Sequence, residues 1–96
     1  TGTAGEEKAN AYIEKQFKKM KLTPKGEKGF DQPFTFKSGV HGTGAEGTAK
    51  NLAAYLDNGA AHTIVIGAHY DHLGLGLEGS SLDANPKNKI HNGADD

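Results

Sequence analysis

The chain of 96 residues contains no cysteine. That excludes disulfide bonds and thiolate ligands, so imidazole nitrogen and oxygen are the strong donors left for a metal ion, and the redox compartment stays open. No apolar run approaches the ~20 residues of a membrane span, so no spanning helix is expected. Charge of one sign is not in excess either, with 11 Lys plus Arg against 12 Asp plus Glu, which removes the electrostatic case for nucleic acid as a partner. The one basic cluster, Lys15, Lys18, Lys19, Lys21 and Lys25, reads as a solvated helix face, because no aromatic side chains interleave with it as a stacking platform requires. Position 1 is Thr rather than Met, which suggests a trimmed start. What is present, 34% apolar residues and 14 glycines, is an ordinary globular composition. A single domain spanning 1–96 is expected, small enough that its stability is in question.

The first element is a helix. Thr3 followed by Glu6 forms a capping box, in which the hydroxyl accepts from an early backbone N–H and the carboxylate reaches back. Ala9, Ile13, Phe17 and Met20 recur at helical spacing with Tyr12 and Gln16 alongside, while Glu14, Lys15, Lys18 and Lys19 point away. Tyr12, Phe17 and Met20 are therefore expected in the core. Pro24 and Gly26, after Leu22, end the helix, and Gln32-Pro33-Phe34-Thr35-Phe36 reads as an edge strand with its proline near the beginning, where a ladder donor is least missed. The glycine-rich stretch from Ser38 to Gly47 reads as a loop or hairpin tip, and its His41 as a surface residue.

Asn51 to Leu56 is ambiguous by propensity, but the turn signal Asp57-Asn58-Gly59 after it predicts a hairpin whose returning strand is Thr63 to Ala68. His62, at the turn end of that strand, is expected to be exposed. Ile64-Val65-Ile66 is continuous rather than alternating, which suits a central strand covered on both faces. It runs through Gly67 and Ala68 into His69-Tyr70-Asp71-His72, so the expected strand would deliver imidazole and carboxylate groups at its carboxyl end, where ligands bind in open α/β sheets.

His69 and Asp71 are two apart on this extended segment. Their side chains should project to one side, the carboxylate orienting the imidazole or sharing its ion, while His72 points the other way. Taken alone, a His-x-Asp pair is compatible with an incidental arrangement as well as with a metal site. The stretch from Leu73 to Ala94 has no periodicity and is long for an idle connection. Asp83, Asn85 and Asn88 in it resemble pieces of a calcium loop, but the required Gly and terminal Glu are missing. The chain then reaches a second acidic cluster, Gly93-Ala94-Asp95-Asp96, through a small-residue turn that could fold a carboxylate back over the strand mouth.

GAHYDHLG followed by IHNGADD resembles the zinc aminopeptidase family typified by aminopeptidase Y and bacterial leucyl aminopeptidase, and NLAAYLDNG and TGTAGEEKANAYI fit its amino-terminal part. The resemblance covers essentially the whole chain. It implies an α/β fold, the partial three-layer αβα zinc-exopeptidase arrangement with an amino-terminal helix and mixed sheet strands, with residues 1–96 as the amino-terminal part of one catalytic domain. It implies zinc as cofactor, two ions in the intact family, with His69 as a ligand of one ion, Asp95 bridging both, and Asp71 orienting His69. The implied activity is hydrolysis of amino-terminal residues from peptides by a hydroxide that the two ions share, and the implied partner is a peptide with a free amino terminus. The stretch between Phe36 and Thr63 leaves no room for the protease-associated insertion that many members carry. Members draw a catalytic Glu, an adjacent Glu ligand, another acidic ligand and a final His from sequence beyond the Asp-Asp pair, so this chain alone is expected to bind zinc poorly and to hydrolyse nothing. The family setting favours a secreted or periplasmic protein. Two other readings fit the same segments: a single-zinc glutaminyl cyclase, and a metal-free relative serving as a binding module.

Overall fold

The computed structural model describes residues 2–38, 44–76, 83–85 and 88–93. Within them the chain combines one helix, α1 (Ala4–Lys19), with four strands, β1 (Thr23–Pro24), β2 (Asp31–Lys37), β3 (Glu46–Leu52) and β4 (Ala54–Tyr55). The architecture is mixed α/β, and both ladders among the described residues are antiparallel: β2 with β3 and β1 with β4.

The helix starts as its sequence requires. The Thr3 hydroxyl accepts the Glu6 amide at 3.2 Å, and the Glu6 carboxylate reaches back to the amide of Gly2, one residue before the cap. Its end differs from the sequence expectation. The chain leaves the helix before Leu22, with Lys21 in the left-handed region at φ 57°. The Leu22 amide donates to the Phe17 carbonyl and the Lys21 amide to the Lys18 carbonyl, both at 3.0 Å. This is a Schellman closure, and it escaped the sequence because a lysine occupies the position glycine usually takes. Thr3→Ala is expected to cost ~1 kcal/mol of stability. Lys21→Gly is expected to return up to ~1 kcal/mol by relieving the left-handed backbone. Thermal melts followed at the helix circular dichroism band check both, and a destabilised Lys21→Gly would contradict the closure.

The inner stripe of α1 is narrower than its periodicity suggests. Ala9, Ile13 and Phe17 are half-buried, but Tyr12 is 64% and Met20 56% exposed, so the expected core positions of these two are not realised. Successive helical residues turn by about 100°. A two-stranded ladder beneath α1 covers the Ile13–Phe17 line and leaves Tyr12, one residue off it, in solvent, while Met20 already caps the helix end. Phe17 packs its ring against the buried Phe30, with centroids 5.6 Å apart. Ala49 of β3 is the other buried apolar residue among those described, and Asn10 is buried on the same side of the helix. Lys15, Lys18, Lys19, Lys21 and Lys25 are all exposed, in keeping with a solvated face.

β2 carries the strand expected around Pro33 and pairs on one side only, so it is an edge. Its register sets Pro33 opposite Lys50. The Ser38 amide donates to the Ala45 carbonyl at 2.9 Å, and the Ala53 amide to the Phe30 carbonyl at 2.8 Å, which fixes those opposed residues as hydrogen-bonded positions. Bonded and non-bonded pairs alternate along an antiparallel ladder, so Pro33 and Lys50 meet at a non-bonded pair. The missing proline N–H faces outward and costs the ladder nothing, and the Lys50 carbonyl points to the outer edge of β3. The Ser38–Ala45 bond extends the β2–β3 pairing; residues 39–43 of the glycine-rich connection, His41 among them, lie outside the described residues.

The expected hairpin between Asn51–Leu56 and Thr63–Ala68 does not form. Residues up to Leu52 pair with β2, and Ala54–Tyr55 pair with β1, where Lys25 sits over the Tyr55 ring at 5.5 Å. The turn residues do perform turn chemistry: the Asp57 carboxylate accepts the Gly59 amide at 2.9 Å, the Asn58 side chain accepts the Ala60 amide at 3.3 Å, and Gly59 has φ +72°. These side chains satisfy local donors and do not bring a second strand back. The expected central strand is likewise absent: Ile64, Val65 and Ile66 lie outside any ladder and are 86%, 89% and 91% exposed. A doubly covered strand needs cover on both faces. The described helix spends its inner face on β3 and Phe30.

Candidate functional site

The segment from His69 to His72 follows this exposed run and likewise lies outside any strand. Its side chains divide into an inner one and exposed ones. Tyr70 turns inward, half-buried, and donates its hydroxyl to the Lys50 carbonyl on the outer edge of β3. His69 and Asp71 lie together on the other side, with the His69 Nδ1 3.7 Å from the Asp71 carboxylate.

The closer neighbour of that ring nitrogen is the backbone carbonyl of Asp71, at 2.8 Å. A carbonyl oxygen only accepts, so Nδ1 carries the proton and the lone pair of the neutral imidazole resides on Nε2. The second histidine has the opposite tautomer. The His72 Nδ1 accepts the Gly74 amide at 3.0 Å, which commits its lone pair and leaves Nε2 as the protonated nitrogen. Of these two histidines, His69 is the one whose neutral ring carries its lone pair on Nε2. The sequence assigned the orienting role to the Asp71 side chain, whereas the shorter contact comes from the Asp71 backbone.

Below His72 the chain turns back on itself. Gly74 and Gly76 both adopt positive φ, and the Gly76 amide closes a tight turn onto the Leu73 carbonyl at 2.9 Å. The Asn88 amide bonds the Leu75 carbonyl at 2.9 Å and the His91 amide the Gly74 carbonyl at 2.8 Å. The long connection thus returns alongside its own start. It brings Gly93 to a shallow cleft of about 260 Å³ whose other walls are Ala68, His69, Tyr70, Asp71 and His72. Asp95, two residues further on, lies outside the described residues. The Asp83 carboxylate accepts the Asn85 amide at 2.9 Å and pairs with Lys89 at 3.1 Å; the first of these, then the second, holds its pKa below the usual value. A carboxylate neutralised by lysine does not favour the calcium reading. His62 is exposed, as expected.

Beneath the segment lies a polar junction that the sequence did not reveal. Asn10 donates to the Asp31 carboxylate at 3.2 Å, and Lys50 pairs with Glu7 at 3.1 Å and with Asp31 at 3.4 Å. Burial raises the Tyr70 phenol above its ordinary pKa, against the opposing effect of a hydrogen bond from Asn10. The signals were a polar residue on the inner side of α1 and a tyrosine that alternation places opposite His69 and Asp71. The hydrogen bond to Glu7 is the largest cause raising the Lys50 pKa. A raised cation pKa contributes stability that is fully present below the unfolded value of 10.5 and is lost as pH rises through the higher folded value. Melting temperature is expected to fall more steeply with pH in that alkaline window for the native chain than for Glu7→Gln. Identical profiles would remove Glu7 as the partner that matters.

Among the described residues no group of three or more His, Asp or Glu side chains converges as a metal site, and no helix is long and apolar enough to cross a membrane. The described residues bring His69 and Asp71 together, which are too few to make a metal site by themselves. No family model, curated protein or solved structure matches the chain.

Proposed function

We propose that this chain is the amino-terminal part of the catalytic domain of a zinc aminopeptidase with the three-layer αβα exopeptidase fold. The observation that supports this reading most is the meeting of two distant segments at one cleft, His69–His72 from one side and Gly93 from the other. His69 through Nε2 and Asp95 are the residues that would hold zinc, with Asp71 orienting His69. When bound, two zinc ions supply Lewis acidity toward a peptide carbonyl and an activated water. This chain's own contribution is to fix the His69 tautomer, hold the ring at the cleft and bring Gly93 beside it. The substrate is a peptide with a free amino terminus.

Two donors do not close a catalytic zinc site, which takes three protein ligands and water. The remaining ligands and the general base are therefore assigned to sequence beyond Asp96. The coding sequence there is expected to carry an adjacent Glu-Glu pair, then an acidic residue and a His. The 96-residue chain is expected to bind zinc weakly in calorimetry and to show no turnover of an aminoacyl anilide. Continuation without those residues, together with no zinc uptake, rejects the proposal; one zinc per complete chain with cyclisation of amino-terminal glutamine would instead identify a glutaminyl cyclase.

A further inference from the structure

We propose that Tyr70 is the positioning residue of this site: its hydroxyl, donated to the Lys50 carbonyl, docks the His69–His72 segment on the outer edge of β3 and so sets where the His69 imidazole stands. The purpose of the contact rests on the zinc reading above, while its geometry does not. Between Leu56 and His72 no backbone–backbone hydrogen bond ties the chain to the other described residues. The His69 and His72 rings each share a bond with a group two residues further on. The Tyr70 bond spans 20 residues and ties the segment to the sheet.

Its acceptor is available because of where the proline falls. Pro33 and Lys50 oppose each other at a non-bonded position, so the Lys50 carbonyl faces away from β2 and toward the segment. Tyr70 therefore joins the segment to the ladder while lining the same cleft as His69 and Asp71.

The test compares the chain with Tyr70→Phe, using Tyr12→Phe as a control for loss of a hydroxyl at an exposed site. Amide hydrogen exchange by mass spectrometry and zinc affinity by calorimetry are read on each. Tyr70→Phe is expected to speed exchange over residues 69–72 roughly five- to tenfold, the scale of one lost hydrogen bond. The β3 amides should be unchanged and zinc binding weaker by a similar factor; Tyr12→Phe should alter neither. Unchanged exchange at 69–72 overturns the proposal, and so does equal acceleration in β3, which would make the hydroxyl a support of the whole fold. A native chain that takes up no zinc rejects the metal reading instead, and exchange at 69–72 then decides the docking role by itself.

Discussion

On the proposed aminopeptidase reading, replacing His69 with alanine in the longer protein is expected to strip bound zinc and to take peptide turnover below detection. His72→Ala is expected to leave zinc content unchanged. The contrast follows from two tautomers three residues apart. The His69 Nδ1 faces a carbonyl and presents its lone pair at Nε2, whereas His72 spends its lone pair on the Gly74 amide. Asp95→Ala is expected to behave like His69→Ala. Asp71→Ala should be milder, near the ~10-fold end of the ~10- to 100-fold range for groups that orient a ligand, because the backbone carbonyl at 2.8 Å remains after the side chain is gone. Atomic absorption on the purified variants decides the matter: zinc retained in both His69→Ala and Asp95→Ala would remove these residues as ligands.

The second large effect concerns Ile64, Val65 and Ile66. Three adjacent β-branched side chains lie almost wholly in water, without charge or proline between them, and present an unpaired extended backbone. Burying each is worth ~1.5–3 kcal/mol, and such segments pair readily with other chains. The 96-residue chain is therefore expected to elute as associated material. The double variant Ile64→Lys/Ile66→Lys is expected to move it to the monomer position, since like charges oppose edge pairing. Gel filtration with light scattering checks both. A sharp native monomer peak with a cooperative melt would show that this run does not drive association.

Local signals and tertiary ones fared differently along this chain. The Thr3–Glu6 cap rests on bonds among near neighbours and is found where its residues stand, and Asp57 and Asn58 accept local amides although the hairpin they predicted does not form. Pairing between strands is not local. Asn51–Leu56 could have turned onto Thr63–Ala68, but the free edges of β2 and β1 captured its two halves, and the apolar run was left without a partner. Tyr12 and Met20 show the same limit, since helical periodicity says which residues could be covered but not how wide the covering ladder is.

At the site, alternation along an extended chain follows from backbone geometry, so the sequence puts His69 and Asp71 on one side and His72 on the other. The sequence also excluded thiolate ligands, because no cysteine exists to provide them. Only the tertiary structure decided which histidine keeps its Nε2 lone pair, that the Lys50 carbonyl receives Tyr70, and that Gly93 returns to the same cleft. The last two depend on groups whose meeting is fixed by packing and register, and the first on side-chain conformations within the segment, none of which is written in the spacing of residues.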